Sequence, residues 1–350
     1  MSDLTRDVPQ EIVPEGWEEP IIAPYLPKPG TPPPARSVAI VGTYAEGLNI
    51  PGKLTGPLFF PIFDYVLRQF GARLSRYENS DEFVADDTSD FAEVAILVYR
   101  EALDDLESVA RSEQLILDKH PGTIVVHRAE SGRVLGNKVR TNKFLTAAGI
   151  PVPRLIEEPV WSETVLSNHA HSSQQSVYLL APGEALDVTR YNTGFVDTTH
   201  RFDGVDYYFF LRVYGVGETW IATYPGFRPV SEGNPAVHFQ DPPDPAIINY
   251  FSGYATISYA SQVLDLCRRM GAALGLGFYH YDLLPCRKTG RLFVSEIGTK
   301  FSPTRAARKH LWGIRNEIPA FAGFFSAGHV LRAGYAFVCG ARSLGRLEVI

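Results

Sequence analysis

Gly275-Leu-Gly-Phe-Tyr-His-Tyr-Asp282, a turn through Lys288-Thr-Gly290, and Arg291-Leu-Phe-Val-Ser-Glu296 stand close together in the last third of the chain. Two apolar runs separated by turn residues predict a pair of strands over 277–284 and 291–296. Such a pair brings Asp282 and Glu296 near one another. Carboxylates at close range repel unless a cation neutralises them or one takes up a proton. Glu296 sits in an apolar frame, between Leu292-Phe-Val-Ser295 and Ile297-Gly298. Two readings follow: an oxygen-rich cation site, or a strand-end cap at Asp282 beside a solvated Glu296.

Upstream, Ser37-Val-Ala-Ile-Val-Gly42 is an apolar run ending in glycine, the pattern of a buried parallel strand. Residues 59–70 have helical apolar spacing, 90–99 and 122–127 read as further buried strands, and 104–120 as a helix with acids early and Lys119 and His120 late. Alternating strands and helices at this spacing predict a small parallel sheet with right-handed crossovers. After Gly42 there is no GxGxxG spacing, and the chain has no GxxxxGK[ST] loop. A helix over 137–148 ends at Gly149, where Pro151 and Pro153 forbid its continuation. Residues 165–229 read as short strands and turns, 258–274 as an amphipathic helix, and 320–339 as a core-packed terminal helix.

The bulk properties agree with an α/β protein of more than one lobe. The chain has 350 residues, a formal net charge of −6 and three cysteines, Cys267, Cys286 and Cys339. Negative net charge argues against nucleic acid as a partner. Three scattered cysteines give no disulfide framework or zinc pattern, and they suit a reducing, cytoplasmic setting. No apolar run is long enough to span a bilayer, and the first residues lack the pattern of a secretory signal, so no membrane partner is expected. Residues 1–36, rich in Pro and Glu and ending in Lys28-Pro-Gly-Thr-Pro-Pro-Pro34, favour extended structure and are expected to form a tail, partly disordered or lying over the surface.

Two stretches in this order resemble the ATP-grasp superfamily. Asn137-Lys-Val-Arg-Thr-Asn-Lys-Phe-Leu-Thr-Ala-Ala-Gly-Ile-Pro-Val-Pro153 is similar to its entry helix, and Gly275–Asp282 with Arg291–Glu296 to its closing strands. The resemblance covers roughly residues 37–315. It implies an α/β ATP-grasp fold behind an N-terminal Rossmann-like parallel-sheet domain. The expected division is an arm (1–36), the parallel-sheet domain (37–130), a lid subdomain (131–230) and a C-terminal subdomain with a terminal helix (231–350).

The resemblance also implies ATP and Mg²⁺ as cofactors and assigns residues to them. Asp282 and Glu296 would be the metal ligands, and Lys138, just inside its helix, would meet the phosphates. Ser167 and Asn168 stand where the family places a second lysine, with Ser172 and Ser173 in the following loop as phosphate donors. Phe195 and Val196 would flank the base, Asp197 would hold the ribose, and Lys300 would reach a phosphate or anionic substrate. Arg212 and Arg228 match the anion-contacting arginines of the glutathione synthetase and ribosomal-protein glutamate ligase branches, and His280 is placed to contact substrate. Members of the family usually carry Asn as a further metal ligand two residues after the closing Glu; here that position is Gly298. One metal in place of two, or a ligand from Thr299 or Ser302, are the alternatives.

The chemistry implied is ligation of a small-molecule carboxylate to an amine or thiol through an acyl phosphate. A kinase that phosphorylates a hydroxyl and a non-catalytic nucleotide- or metabolite-binding protein are the alternatives. Residues 44–55 are the expected substrate loop, and the apolar C-terminal segment offers a face for a homodimer.

Overall fold

The computed structural model describes residues 17–42, 58–86, 92–99, 106–158, 161–170, 177–233, 235, 244–299, 301 and 311–347. Strands β1 (Arg36–Gly42), β2 (Ala72–Tyr77), β3 (Ala92–Val98) and β4 (Ile124–Val126) form a parallel sheet in the order β2-β1-β3-β4. Successive side chains alternate between its faces. Val38, Ile40, Val94 and Ile96 join the core containing Phe59, Phe63 and Val66 of α2 (Phe59–Arg68). Ala39, Val41, Ala95 and Leu97 pack with Phe83 of α3 (Ser80–Ala85) and with Val109 and Ile116 of α4 (Leu106–Lys119). Burial on both faces explains why β1 and β3 read as unbroken apolar runs.

The structure adds β2 and α3 to the expected strands and helices. Among the described residues β2 pairs only with β1, so this edge strand tolerates Arg73, Ser75 and Arg76 and lacks an apolar signature. Helix α3 is six residues long and begins where the Asn79 side chain accepts a hydrogen bond from Glu82 N. Within the arm, residues 19–22 form a short helix, α1 (Glu19–Ile22), where extended structure was expected. Trp17 meets Trp312 edge-on with centroids 5.0 Å apart, and Tyr25 meets Tyr65 at 5.1 Å. Aromatic burial therefore holds this part of the arm against the body. Residues 1–16 and 44–55 lie outside the described residues.

Helix α5 (Ala129–Leu135) leads into α6 (Lys138–Ala147). A three-stranded antiparallel sheet follows, in the order β6-β5-β7, from β5 (Val165–Asn168), β6 (Tyr178–Leu180) and β7 (Tyr191–Gly194). The second antiparallel sheet contains β8 (Thr199–Phe202), β9 (Val205–Val216), β10 (Thr219–Pro229), β11 (Phe278–Pro285) and β12 (Leu292–Gly298). Its order is β10-β9-β11-β12, with β8 pairing the first residues of β9.

Helix α7 covers one face of this sheet and runs over Pro245–Leu274, well beyond the expected 258–274. Asp244 caps it by accepting from Ala246 N, and Pro245 occupies the first turn. The added turns bring Phe251 into stacking contact with Phe209 and Phe227, centroids 4.8 and 5.1 Å apart. Tyr207, Phe209, Leu211 and Val213 of β9 share a core with α7, and the alternate residues of β9 face the other way.

The expected terminal helix over 320–339 divides. A 3-10 segment, Pro319–Phe325, ends at extended Ser326, and α8 (Gly328–Ser343) starts afresh with Ser326 Oγ accepting from Gly328 N. Among the described residues, no helix is long and apolar enough to cross a membrane.

Candidate functional site: a charged row in an apolar cleft

On the face of the second sheet opposite α7, three strands place charged residues side by side. Arg212 of β9 is the register partner of Asp282 of β11, and Asp282 is the partner of Glu296 of β12. Cross-strand partners share a face, so the three side chains form a lateral row. Arg212 donates to Asp282 through Nε (2.8 Å) and Nη2 (2.7 Å), a bidentate pair. Burial opposes the charge on Arg212, and the Asp282 carboxylate overrides it, holding the guanidinium above its ordinary pKa. A bulge between Asp282 and Leu283 leaves Ser295 as the extra residue on β12, and its hydroxyl donates to Asp282 O at 3.0 Å.

Lys138 approaches this row from α6, its Nζ 3.5 Å from Glu296 Oε2. The position follows from how the segment is anchored. Val294 N donates to Pro151 O at 2.8 Å, and Asn142 Nδ2 donates to Pro153 O (2.9 Å) and Tyr191 Oη (3.3 Å). Burial pushes the Tyr191 phenol up to about 12, against the Asn142 hydrogen bond and with the nearby Glu296 charge, so it stays neutral.

These groups line one cleft of about 1070 Å³, including its open mouth. Lys138, Asn168, Phe195, Val196, Arg212, Asp282 and Glu296, all expected site residues, line it. Its apolar wall includes Leu166, Phe210 and Leu284, and Phe210, Tyr208, Phe195 and Leu284 belong to one small cluster. The Phe210 ring packs against Gly226 of β10, where an added Cβ would fall 1.7 Å from Cε1. Tyr191, Ser295 and Phe210 were not foreseen as site residues. The Ser295 position depends on a bulge, and the other two are aromatic residues whose type alone does not separate lining from core.

Several expected site residues stand elsewhere. Ser167 is fully buried and its Oγ accepts from Arg190 Nε at 2.9 Å; on β5 its neighbours Leu166 and Asn168 take the cleft face, so alternation turns Ser167 away. The Asn168 Oδ1 accepts from His169 N. Asp197 does not line the cleft; its Oδ1 accepts from Thr199 N (2.9 Å) and Oγ1 (2.7 Å), shaping the turn into β8. Arg228 pairs with Glu232 at 2.9 Å, one helical turn along the chain. Ser172, Ser173 and Lys300 lie outside the described residues.

The start of α6 also differs from an open anion site. Lys138 N donates to Ala170 O at 2.8 Å, and the Asn137 side chain accepts from Arg140 N. What Lys138 offers an anion is its ammonium.

His280 is buried and pairs in register with Gly298. Its ring fills the space a side chain at 298 would need: an added Cβ would lie 2.4 Å from His280 Cε1. The sequence departure at Gly298 thus has a physical counterpart across the strand pair. Asp282 and Glu296 offer the hard oxygens that Mg²⁺ prefers and stand on neighbouring strands, so they fit one divalent ion completed by ligands from outside the protein. Among the described residues no cluster of three or more His, Cys, Asp or Glu could hold a metal alone.

No protein-family model matches the chain, and no curated protein matches it. Similar solved structures include a D-alanine–D-alanine ligase from Bacillus anthracis, at 10% identity and a TM-score of 0.47, covering 88% of this chain and 98% of that one. The ATP-grasp ligase PsnB, complexed with a phosphomimetic variant of its minimal precursor, Mg and ADP, aligns at 12% identity and a TM-score of 0.45 over 87% of this chain and 98% of that one. An N5-carboxyaminoimidazole ribonucleotide synthetase from Thermotoga maritima aligns at 13% identity and a TM-score of 0.42, over 75% and 68%. In its own arrangement the chain is an α/β protein, a parallel-sheet unit followed by two antiparallel sheets that meet at a cleft.

Proposed function

We propose that the chain is an ATP-dependent ligase that activates a small-molecule carboxylate as an acyl phosphate and joins it to an amine. The carrying observation is the composition of one cleft: two cations and two carboxylates in contact beside an apolar wall. Such a cleft suits a nucleotide, with Phe195, Val196, Leu166 and Leu284 against the base and Lys138 and Arg212 toward the phosphates. In the reaction the substrate carboxylate oxygen attacks the γ-phosphorus and ADP leaves. The amine then attacks the acyl carbon, inorganic phosphate departs, and the amine loses a proton. This chemistry asks the protein to hold groups in line and neutralise developing charge. Arg212, aimed by Asp282 and stacked near the Phe210 ring, is suited to hold the transferring phosphate. A divalent ion held by Asp282 and Glu296 would neutralise further phosphate charge when bound.

A serine at 167, buried and turned from the cleft where the resemblance implies a lysine, and the filled space over Gly298 favour a second reading, a nucleotide binder without turnover. One experiment separates them. The protein is incubated with Mg-ATP and a panel of acids and amines, and ADP release is followed. The ligase reading expects release that needs both an acid and an amine. A melting temperature raised by Mg-ATP with no ADP from any pair supports the binder.

A further inference from the structure

The charged row is already neutralised from within. Arg212 occupies both oxygens of Asp282, and Lys138 stands against Glu296, so two positive and two negative charges cancel. From these four side chains, a divalent cation arriving alone meets no net negative charge. It must also displace a bidentate guanidinium from Asp282, whose side chain is 13% exposed. Its gain would be two carboxylate ligands, with no third protein ligand of the His, Cys, Asp or Glu type within the described residues. A polyphosphate alters each of these conditions. Its oxygens give Arg212 and Lys138 other anions to pair with, which releases both carboxylates, and the same oxygens complete the coordination of a hard cation.

We propose that this cleft's divalent-cation site is closed by Arg212 and Lys138 until a polyphosphate draws them off, so that metal and nucleotide bind as a coupled pair and metal alone is excluded. The proposal rests on the nucleotide reading above and adds the order and coupling of binding. Coupling is reciprocal: the factor by which nucleotide tightens metal binding equals that by which metal tightens nucleotide binding.

The test uses Mn²⁺, read by electron paramagnetic resonance as free ion lost on titration with the full chain, with and without a non-hydrolysable ATP analogue. Wild-type protein is expected to bind Mn²⁺ on the order of 10- to 100-fold more tightly when the analogue is present, the upper range of ordinary coupling. Removing either gatekeeper should open the site to metal alone. Arg212→Met and, independently, Lys138→Met are each expected to bind Mn²⁺ without nucleotide about 10-fold more tightly than wild type. A merely structural role for these cations would not produce that gain. Lys138→Met keeps the test decisive should Arg212→Met fail to fold, because Glu296 is the more exposed carboxylate, at 35% against 13%. Equal Mn²⁺ affinity with and without a bound analogue would overturn the coupling and leave nucleotide binding standing. So would a Lys138→Met protein no better than wild type at taking up Mn²⁺ alone. If the analogue fails to bind with or without Mn²⁺, the nucleotide reading falls and the coupling with it.

Discussion

Arg212→Met is expected to lower both stability and the proposed turnover, and it is the most damaging single change this structure points to. The substitution retains much of the side-chain volume and removes the guanidinium. Asp282 is left without the cation that satisfies both its oxygens. Truncating one partner of a buried pair costs about 3–5 kcal/mol, and partial exposure of Arg212 places the expected loss near the lower figure. Chemical denaturation read by tryptophan fluorescence measures it. Turnover is expected to fall by about 10²–10³, the usual effect of losing one donor to developing charge. Arg212→Lys separates the two effects. A lysine keeps the charge but lacks the planar fork, so stability should partly return while turnover remains low. An Arg212→Met protein with wild-type stability would mean that the Arg212–Asp282 pair carries no net energy.

The second large effect concerns Gly298. Gly298→Asn, which introduces the residue that the sequence resemblance implies at this position, is expected to destabilise the chain by about 1–3 kcal/mol. Its Cβ would enter the volume held by the buried His280 ring, 2.4 Å from Cε1. In the His280→Ala background the same substitution should cost far less, because the ring is gone. The double-mutant cycle is therefore expected to show a coupling energy of about 1 kcal/mol or more, as found for residues in direct contact. Urea unfolding of the four proteins supplies the numbers. Additive costs would contradict steric coupling between these two positions.

Much of the architecture was readable because the physics was local. The central strands β1 and β3 are buried on both faces and announce themselves as apolar runs. Helix α6 begins at a capping Asn137 and stops before two prolines. Asp282 and Glu296 fall opposite one another because two short strands and one turn fix their register. The edge strand β2 carries arginines because half of its hydrogen-bonding perimeter lies outside the sheet, and no run of residues betrays it. Helix α7 was read short: Asp244-Pro245 marks its true start, but Gly253 and the Thr256-Ile257 pair weaken the helical signal between. Within the site, the pairings were not legible. That Arg212 clasps Asp282 depends on β9 and β11 lying side by side across some 70 intervening residues. Ser167 lies away from the cleft because a one-residue step along a strand reverses the face, and sequence position cannot fix that phase for a four-residue strand. Asp197 was assigned to ribose by analogy, and the turn it builds with Thr199 is the commoner use of an Asp two residues before a Thr.

The most direct measurement is a crystal structure of the full chain with Mg²⁺ and a non-hydrolysable ATP analogue. The account predicts the triphosphate in the cleft, its oxygens within hydrogen-bonding distance of Lys138 Nζ and the Arg212 guanidinium, with the base against Phe195 and Val196. An analogue bound elsewhere, or a cleft in which both cations keep their carboxylate partners while nucleotide occupies another surface, would contradict it.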